Sequence, residues 1–121
     1  MNEDDIRFLR VAIEQAMLGR SEGGIPIGAA LVADGEVLGA GHNRRIQLGS
    51  PIRHGETDAL EVAGRQPAAV YRRSTMYTTL SPCDMCSGAI LLYGISLIYG
   101  SLGTLDLHEI RESLIAVPTA R

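Results

Sequence analysis

The apolar positions of this chain change their period several times, and each change marks an element. From Asp4 to Arg20, Ile6, Leu9, Ile13, Ala16 and Met17 recur at the three-to-four spacing of one helical face. Asp4 and Asp5 suit the positive end of that helix, and Gly19 punctuates its finish. The stretch SEGGIP breaks the pattern. IGAALVADGEVLGAG then reads as two short strands joined at Asp34-Gly35, a hairpin dipeptide. Residues 42–54 are polar and contain Gly49 and Pro51, which predicts a loop. GETDALEVAGR is helical, with Leu60 and Ala63 on one side and Gly64 near its end. STMYTTL is β-branched and aromatic, hence a strand. Pro82 opens a helix that carries two cysteines and the apolar run Ala89 to Tyr93, and Gly94 stops it. ISLIYG is a further strand, and the tail predicts a helix from about Asp106 to Ala116.

This order of elements predicts an α/β fold, with a mixed sheet, helices on its two faces and helical crossovers between the later strands. A chain of 121 residues without repeats or linkers reads as a single domain over 1–121. That length buries roughly two thirds of the unfolded surface, so folding needs no disulfide. The formal charge of -3 argues against a protein that grips a nucleic-acid backbone. The Arg44-Arg45 and Arg72-Arg73 pairs read as solvated surface. The opening MNEDDIRFLR is acidic where a signal peptide carries positive charge. No apolar run nears the roughly 20 residues of a membrane helix. The expectation is therefore a cytoplasmic, reducing setting without a membrane partner, where two cysteines serve a metal or catalysis in preference to a bridge.

Those two cysteines, Cys83 and Cys86, stand three apart at a helix start, so both sulfurs can point at one ion. The same geometry serves a redox pair, and the helix N-terminus favours thiolate in both cases. His54-Gly55-Glu56 shifts the balance, because it also lies at a loop-to-helix junction. His54, Cys83 and Cys86 supply three ligands of the right softness for Zn²⁺. Three protein ligands and an open position for water form the catalytic arrangement, whereas structural zinc is closed by four. Glu56, two residues from a ligand, is then placed to carry protons. H-x-E followed by P-C-x-x-C is the signature of zinc-dependent nucleobase deaminases.

Beyond the motif, GIPIGAALV, VLGAGHNRR, HGETDALE and MYTTLSPCDMCSGAILLYGI resemble the corresponding blocks of the fungal-type cytosine deaminases, in the same order and nearly the same spacing. The likeness runs from about Gly23 to Ile95. It implies a cytidine deaminase-like three-layer α/β/α sandwich, one Zn²⁺ per subunit, hydrolysis of cytosine to uracil and ammonia in pyrimidine salvage, and a homodimer. It further implies that His54, Cys83 and Cys86 hold zinc, that Glu56 shuttles protons, and that Asn43, Gly55 and Ser81 contact a small nucleobase substrate. The tail SLGTLDLHEIRESLIAVPTAR departs from the family, whose members continue for a few dozen residues with a helix that covers the pocket. The expectation is a lid that is absent, rebuilt from this tail or supplied by a partner subunit.

Rival readings remain. Within the class, the substrate is guanine, a nucleoside or a modified base. Outside it, the chain is a CxxC redox protein or an inactive zinc-binding fold. Other residues carry ordinary structural expectations. His42 is a surface or locally hydrogen-bonded loop histidine, and His108 lies in a polar tail. Ser81 caps the helix and Asp84 complements its dipole. Met76, Met85 and Leu91-Leu92-Tyr93 are core, and Glu61 faces solvent.

Overall fold

The computed structural model describes residues 2–100 and 115–117. The chain runs α1 (Glu3–Ser21), β1 (Gly28–Ala33), β2 (Glu36–His42), α2 (Arg45–Leu48), α3 (Gly55–Ala63), α4 (Ala68–Arg72), β3 (Ser74–Thr78), α5 (Asp84–Tyr93), β4 (Ser96–Tyr99) and β5 (Ile115–Val117). The strands form one sheet in the order β2-β1-β3-β4-β5. β1 is antiparallel to both of its neighbours, β3 and β4 are parallel through the α5 crossover, and β5 lies antiparallel on β4. This is the mixed sheet that the element order predicts.

Alternation along the strands divides the core into two layers. Ala30, Val32, Tyr77 and Ile98 face α1, where they meet Ile6, Phe8, Leu9, Ala12 and Ile13. Ala29, Leu31, Met76 and Leu97 face the other way, with Ala59 of α3, Tyr71 of α4 and Ile90 of α5. The result is the expected α/β/α sandwich. The β1–β2 hairpin turns on Asp34 (φ 54°) and Gly35 (φ 76°), the two left-handed positions that a tight two-residue turn requires. On β2, glycine is required for a different reason. A Cβ at Gly39 would come 2.4 Å from the Ala63 nitrogen, and one at Gly41 would come 2.6 Å from the Ala59 nitrogen. Their bare backbones let α3 lie directly on the strand.

Three segments meet at one edge of the sheet because β1 runs against both β2 and β3. Gly28 donates to Thr79 Oγ1 (3.1 Å), and Thr79 donates back to the Gly28 carbonyl (3.1 Å). Asn43 donates to the Ile27 carbonyl at 2.9 Å. The entry to β1, the exit of β2 and the exit of β3 are thus held side by side.

The structure differs from the sequence reading in five places. The predicted loop 42–54 contains the short helix α2, started by the Asn43 side chain accepting from the Arg45 N–H (3.1 Å) and ended by Gly49 at φ 57°. α4, a single turn and a half, was too short to show a period. The helix carrying the cysteines begins with Cys83 as its cap residue, not Ser81. Ile115–Val117 is a strand, which overturns the end of the predicted tail helix. The remainder of that helix, and His108, lie outside the described residues. Leu91, Leu92, Tyr93 and Met85 are exposed, contrary to the expectation that they are core, because α5 is apolar on more sides than the sheet can cover. Among the described residues, no helix is long and apolar enough to cross a membrane.

Candidate zinc centre

The site forms where α3 and α5 begin. His54 is the cap residue of α3 and Cys83 that of α5. Thr57 fixes the approach to His54: its hydroxyl accepts from the His54 N–H (2.9 Å) and donates to the Ile52 carbonyl. The Pro82-Cys83 entry and the first turn of α5 then carry Cys86 round to the same side as Cys83.

His54 Nδ1 lies 3.4 Å from Cys83 Sγ and 3.7 Å from Cys86 Sγ. Two bonds of about 2.05 and 2.3 Å meeting at a tetrahedral angle span about 3.6 Å, so these separations are those of ligands sharing one zinc ion. All three ligand atoms fall within 4.8 Å of one another, and among the described residues the group numbers three. One imidazole and two sulfurs suit zinc in charge and softness, and three ligands leave a position open. The cysteines are not bridged to each other.

Glu56, on the first turn of α3, is buried behind this group. Burial pushes its carboxyl above the ordinary range, offset in part by hydrogen bonds from the Cys86 thiol and its own backbone N–H. Burial, and after it the Glu56 carboxylate, raises the Cys86 thiol well above its usual range. A dication between the sulfurs reverses that preference, because a coordinating thiol is deprotonated outright.

A cavity of about 220 Å³ opens on the group, lined by Ile25, Ile27, Asn43, Arg45, His54, Glu56, Leu80, Ser81 and Cys83. Of the residues singled out from sequence, Asn43, His54, Glu56, Ser81 and Cys83 therefore share one wall system. Cys86 lies fully buried beneath it. Gly55 does not line the cavity; it packs on the entry to β1, where a Cβ would stand 3.4 Å from the Ile27 carbonyl oxygen. Asn43 is buried, and its Oδ1 is committed to the Arg45 N–H, which leaves the amide NH₂ as the group free to donate. A larger open groove of about 780 Å³ lies along α3 and α4, lined among others by Leu60, Arg65 and Tyr71. It contains none of the three ligands.

Ile25, Ile27 and Leu80, unmarked by the sequence pattern, also line the cavity, as does Arg45, which reads from sequence as solvated surface. Their signal was available only in part: they border the segments that an antiparallel β1 brings to one edge. His42 is buried in the first layer, with Nδ1 2.8 Å from Gln15 Oε1 and Nε2 2.7 Å from Glu22 Oε1. It lies outside the metal group, but it ends strand β2 instead of sitting in a loop, and its partners come from α1 and the residue that follows α1 instead of from its own neighbourhood. Glu61 is exposed and so is Asp84, in the first turn of α5.

Comparison with known proteins agrees with this geometry. The family model described as the cytidine and deoxycytidylate deaminase zinc-binding region matches residues 2–101. The cytosine deaminase of Candida albicans is 59% identical over 95 residues, 78% of this chain and 63% of that protein. A tRNA-specific adenosine deaminase of Streptococcus pyogenes is 37% identical over 102 residues, 82% of this chain and 64% of that protein. The chain thus spans slightly under two thirds of the length of these relatives. The structure of guanine deaminase from Bacillus subtilis superposes with a TM-score of 0.70 at 29% identity, over 93% of this chain and 69% of that one. With its ligand trio in place and its family model matched over most of its length, the chain belongs to the cytidine and deoxycytidylate deaminase zinc-binding family, and its cofactor is zinc.

Proposed function

We propose that this protein hydrolyses a free nucleobase, cytosine, to uracil and ammonia. The observation that carries the reading is the 220 Å³ cavity that joins two of the metal ligands, His54 and Cys83, to a buried carboxyl and a committed amide. That volume is below the roughly 300–1,000 Å³ of clefts that take drug-sized ligands, and suits one small ring. The 59% identity to a cytosine deaminase supports the choice of base.

His54, Cys83 and Cys86 would hold the zinc, which when bound would lower the pKa of a water molecule towards neutrality. The chain's own groups do the rest. Asn43 presents its NH₂ to the ring carbonyl and so fixes the plane of the base, with Ser81 as a further contact. Glu56 accepts a proton from the attacking water and delivers it to ring N3 as the new C4–O bond forms. It then transfers the second water proton to the exocyclic nitrogen as the C4–N bond breaks and ammonia departs. One carboxyl suffices because the two transfers are sequential, and its burial raises its affinity for the proton it must carry.

The same reading includes a single deaminase domain, a place in pyrimidine salvage and a cytoplasmic setting. It includes a homodimer, supported by the exposed Leu91, Leu92 and Tyr93 on α5 and Val62 on α3. A small substrate agrees with the net charge of -3, which disfavours a polynucleotide. The test is ammonia release from the zinc-loaded protein with cytosine, guanine, adenine, cytidine and deoxycytidine. Turnover of cytosine above the others is expected. Preference for a purine or a nucleoside would replace the substrate, and no release from any would leave a zinc-binding protein without this reaction.

A further inference from the structure

One buried side chain, outside the cavity, ties together the segments that carry its two poles. Asp58, on the first turn of α3, has no exposed surface. Its Oδ2 accepts from the His42 N–H (3.0 Å) and from Arg44 Nε (3.0 Å), and its Oδ1 accepts from an Arg53 N–H at 2.7 Å. These donors bracket the site. His42 and Arg44 are the residues on either side of Asn43, and Arg53 immediately precedes His54. The Arg44 N–H also donates to the Arg53 carbonyl (2.9 Å), which fastens the two segments to each other directly.

The sheet is shaped to admit this carboxylate. A Cβ at Gly41 would stand 2.6 Å from Asp58 Oδ2, so only glycine lets the carboxylate reach the His42 N–H. A buried charge held by two half-buried guanidinium groups adds little net stability, since desolvation offsets much of the attraction. Such a network does define geometry: each partner is directional, and a wrong separation leaves a charge unpaired. The residues it spaces are the amide donor of the base and the imidazole ligand of the metal.

We propose that Asp58 is a positioning residue that sets the distance between the Asn43 amide and the His54 imidazole, presenting base and zinc to each other in one register. Its base arm rests on the reaction proposed above; its zinc arm does not.

The test uses zinc-loaded Asp58→Asn and Asp58→Glu, measured well below their melting temperatures. Asp58→Asn keeps the shape but turns an NH₂ towards a guanidinium. Zinc release to a chromogenic chelator should quicken about 10- to 100-fold, as for other residues that orient a ligand. KM for cytosine should rise roughly tenfold, with kcat changing less, because the amide binds the ring and moves no proton. Asp58→Glu should fail to rescue either quantity, since it keeps the charge and changes the reach. Should the Asp58 variants not fold, Arg53→Gln and Arg44→Gln divide the question: the first should act mainly on zinc release, the second mainly on KM. Lowered melting temperature with wild-type zinc release and wild-type KM would overturn the inference. Zinc release needs no turnover, so a wild-type protein that deaminates nothing would overturn the reaction and leave Asp58 to be judged on the chelator data.

Discussion

His54 and Cys83 stand 29 residues apart in the chain, yet Nδ1 of one lies 3.4 Å from Sγ of the other. Each is the last residue before a helix, and both helices pack on the same face of the sheet, which sets their spacing. The metal site is therefore a property of tertiary structure, and its loss should be felt by the fold.

Cys86→Ser tests that coupling. Cys86 is fully buried, so its replacement removes a ligand and leaves a hydroxyl where a metal bond belonged. Zinc affinity should fall by at least about 100-fold, and the melting temperature should drop with it. Native mass spectrometry and a thermal melt read both. Full zinc occupancy in the variant would mean that the ligand set is wrong.

Glu56→Ala should separate metal binding from chemistry. The carboxyl is buried beside the ligands without belonging to their group. The variant should keep one zinc per chain and lose turnover by a factor of about 10² to 10⁴, the usual worth of a positioned proton carrier. Activity within a few-fold of wild type would remove Glu56 from its role.

Gly41→Ala should destabilise the protein by about 1–3 kcal/mol, the range for forcing an extra methyl into a packed interior. The new Cβ would meet the Ala59 nitrogen and Asp58 Oδ2, each at 2.6 Å, and α3 would have to retreat from β2. Urea unfolding measures the change, and an unaltered midpoint would show that the helix has room to move.

Acid should weaken the protein partly through Asp58. Burial by itself raises this carboxyl, but hydrogen bonds from Arg53, Arg44 and the His42 N–H outweigh it and hold the pKa below 3.8. In the window below the unfolded value the unfolded chain binds more protons, so stability rises with pH there. The Asp58 contribution is complete above that value and is lost as pH falls through the lower, folded one. Denaturant midpoints of wild type and Asp58→Asn should therefore lie apart at pH 6 and converge towards pH 3. A constant gap would show that the Asp58 carboxyl titrates alike in both states.

Much of this was legible from local pattern. The hairpin followed from Asp34-Gly35, and the crossover from Pro82 and Gly94 around an apolar run. The ligand trio followed from residue type and position at two helix starts. What was not legible depended on distant partners. Asp58 carries no signal beyond lying four residues after His54, because its three donors come from β2 and the loop before α3. α2 was hidden in a polar stretch, since its start depends on a single Asn43 side chain. Leu91, Leu92 and Tyr93 read as core because composition reports apolarity, not how much of a helix the sheet can cover.

The antiparallel run of β1 has a broader consequence. Gly28, Thr79 and Asn43 stitch three connections to one rim, while strand register is settled deeper in the sandwich. The cavity-lining Ile25, Ile27, Asn43, Leu80 and Ser81 thus belong to the connections at this rim, and the candidate ligands His54 and Cys83 to helix starts. A change of length in one of these connections would therefore reshape the cavity wall while leaving the two helix starts that carry His54 and Cys83 in place.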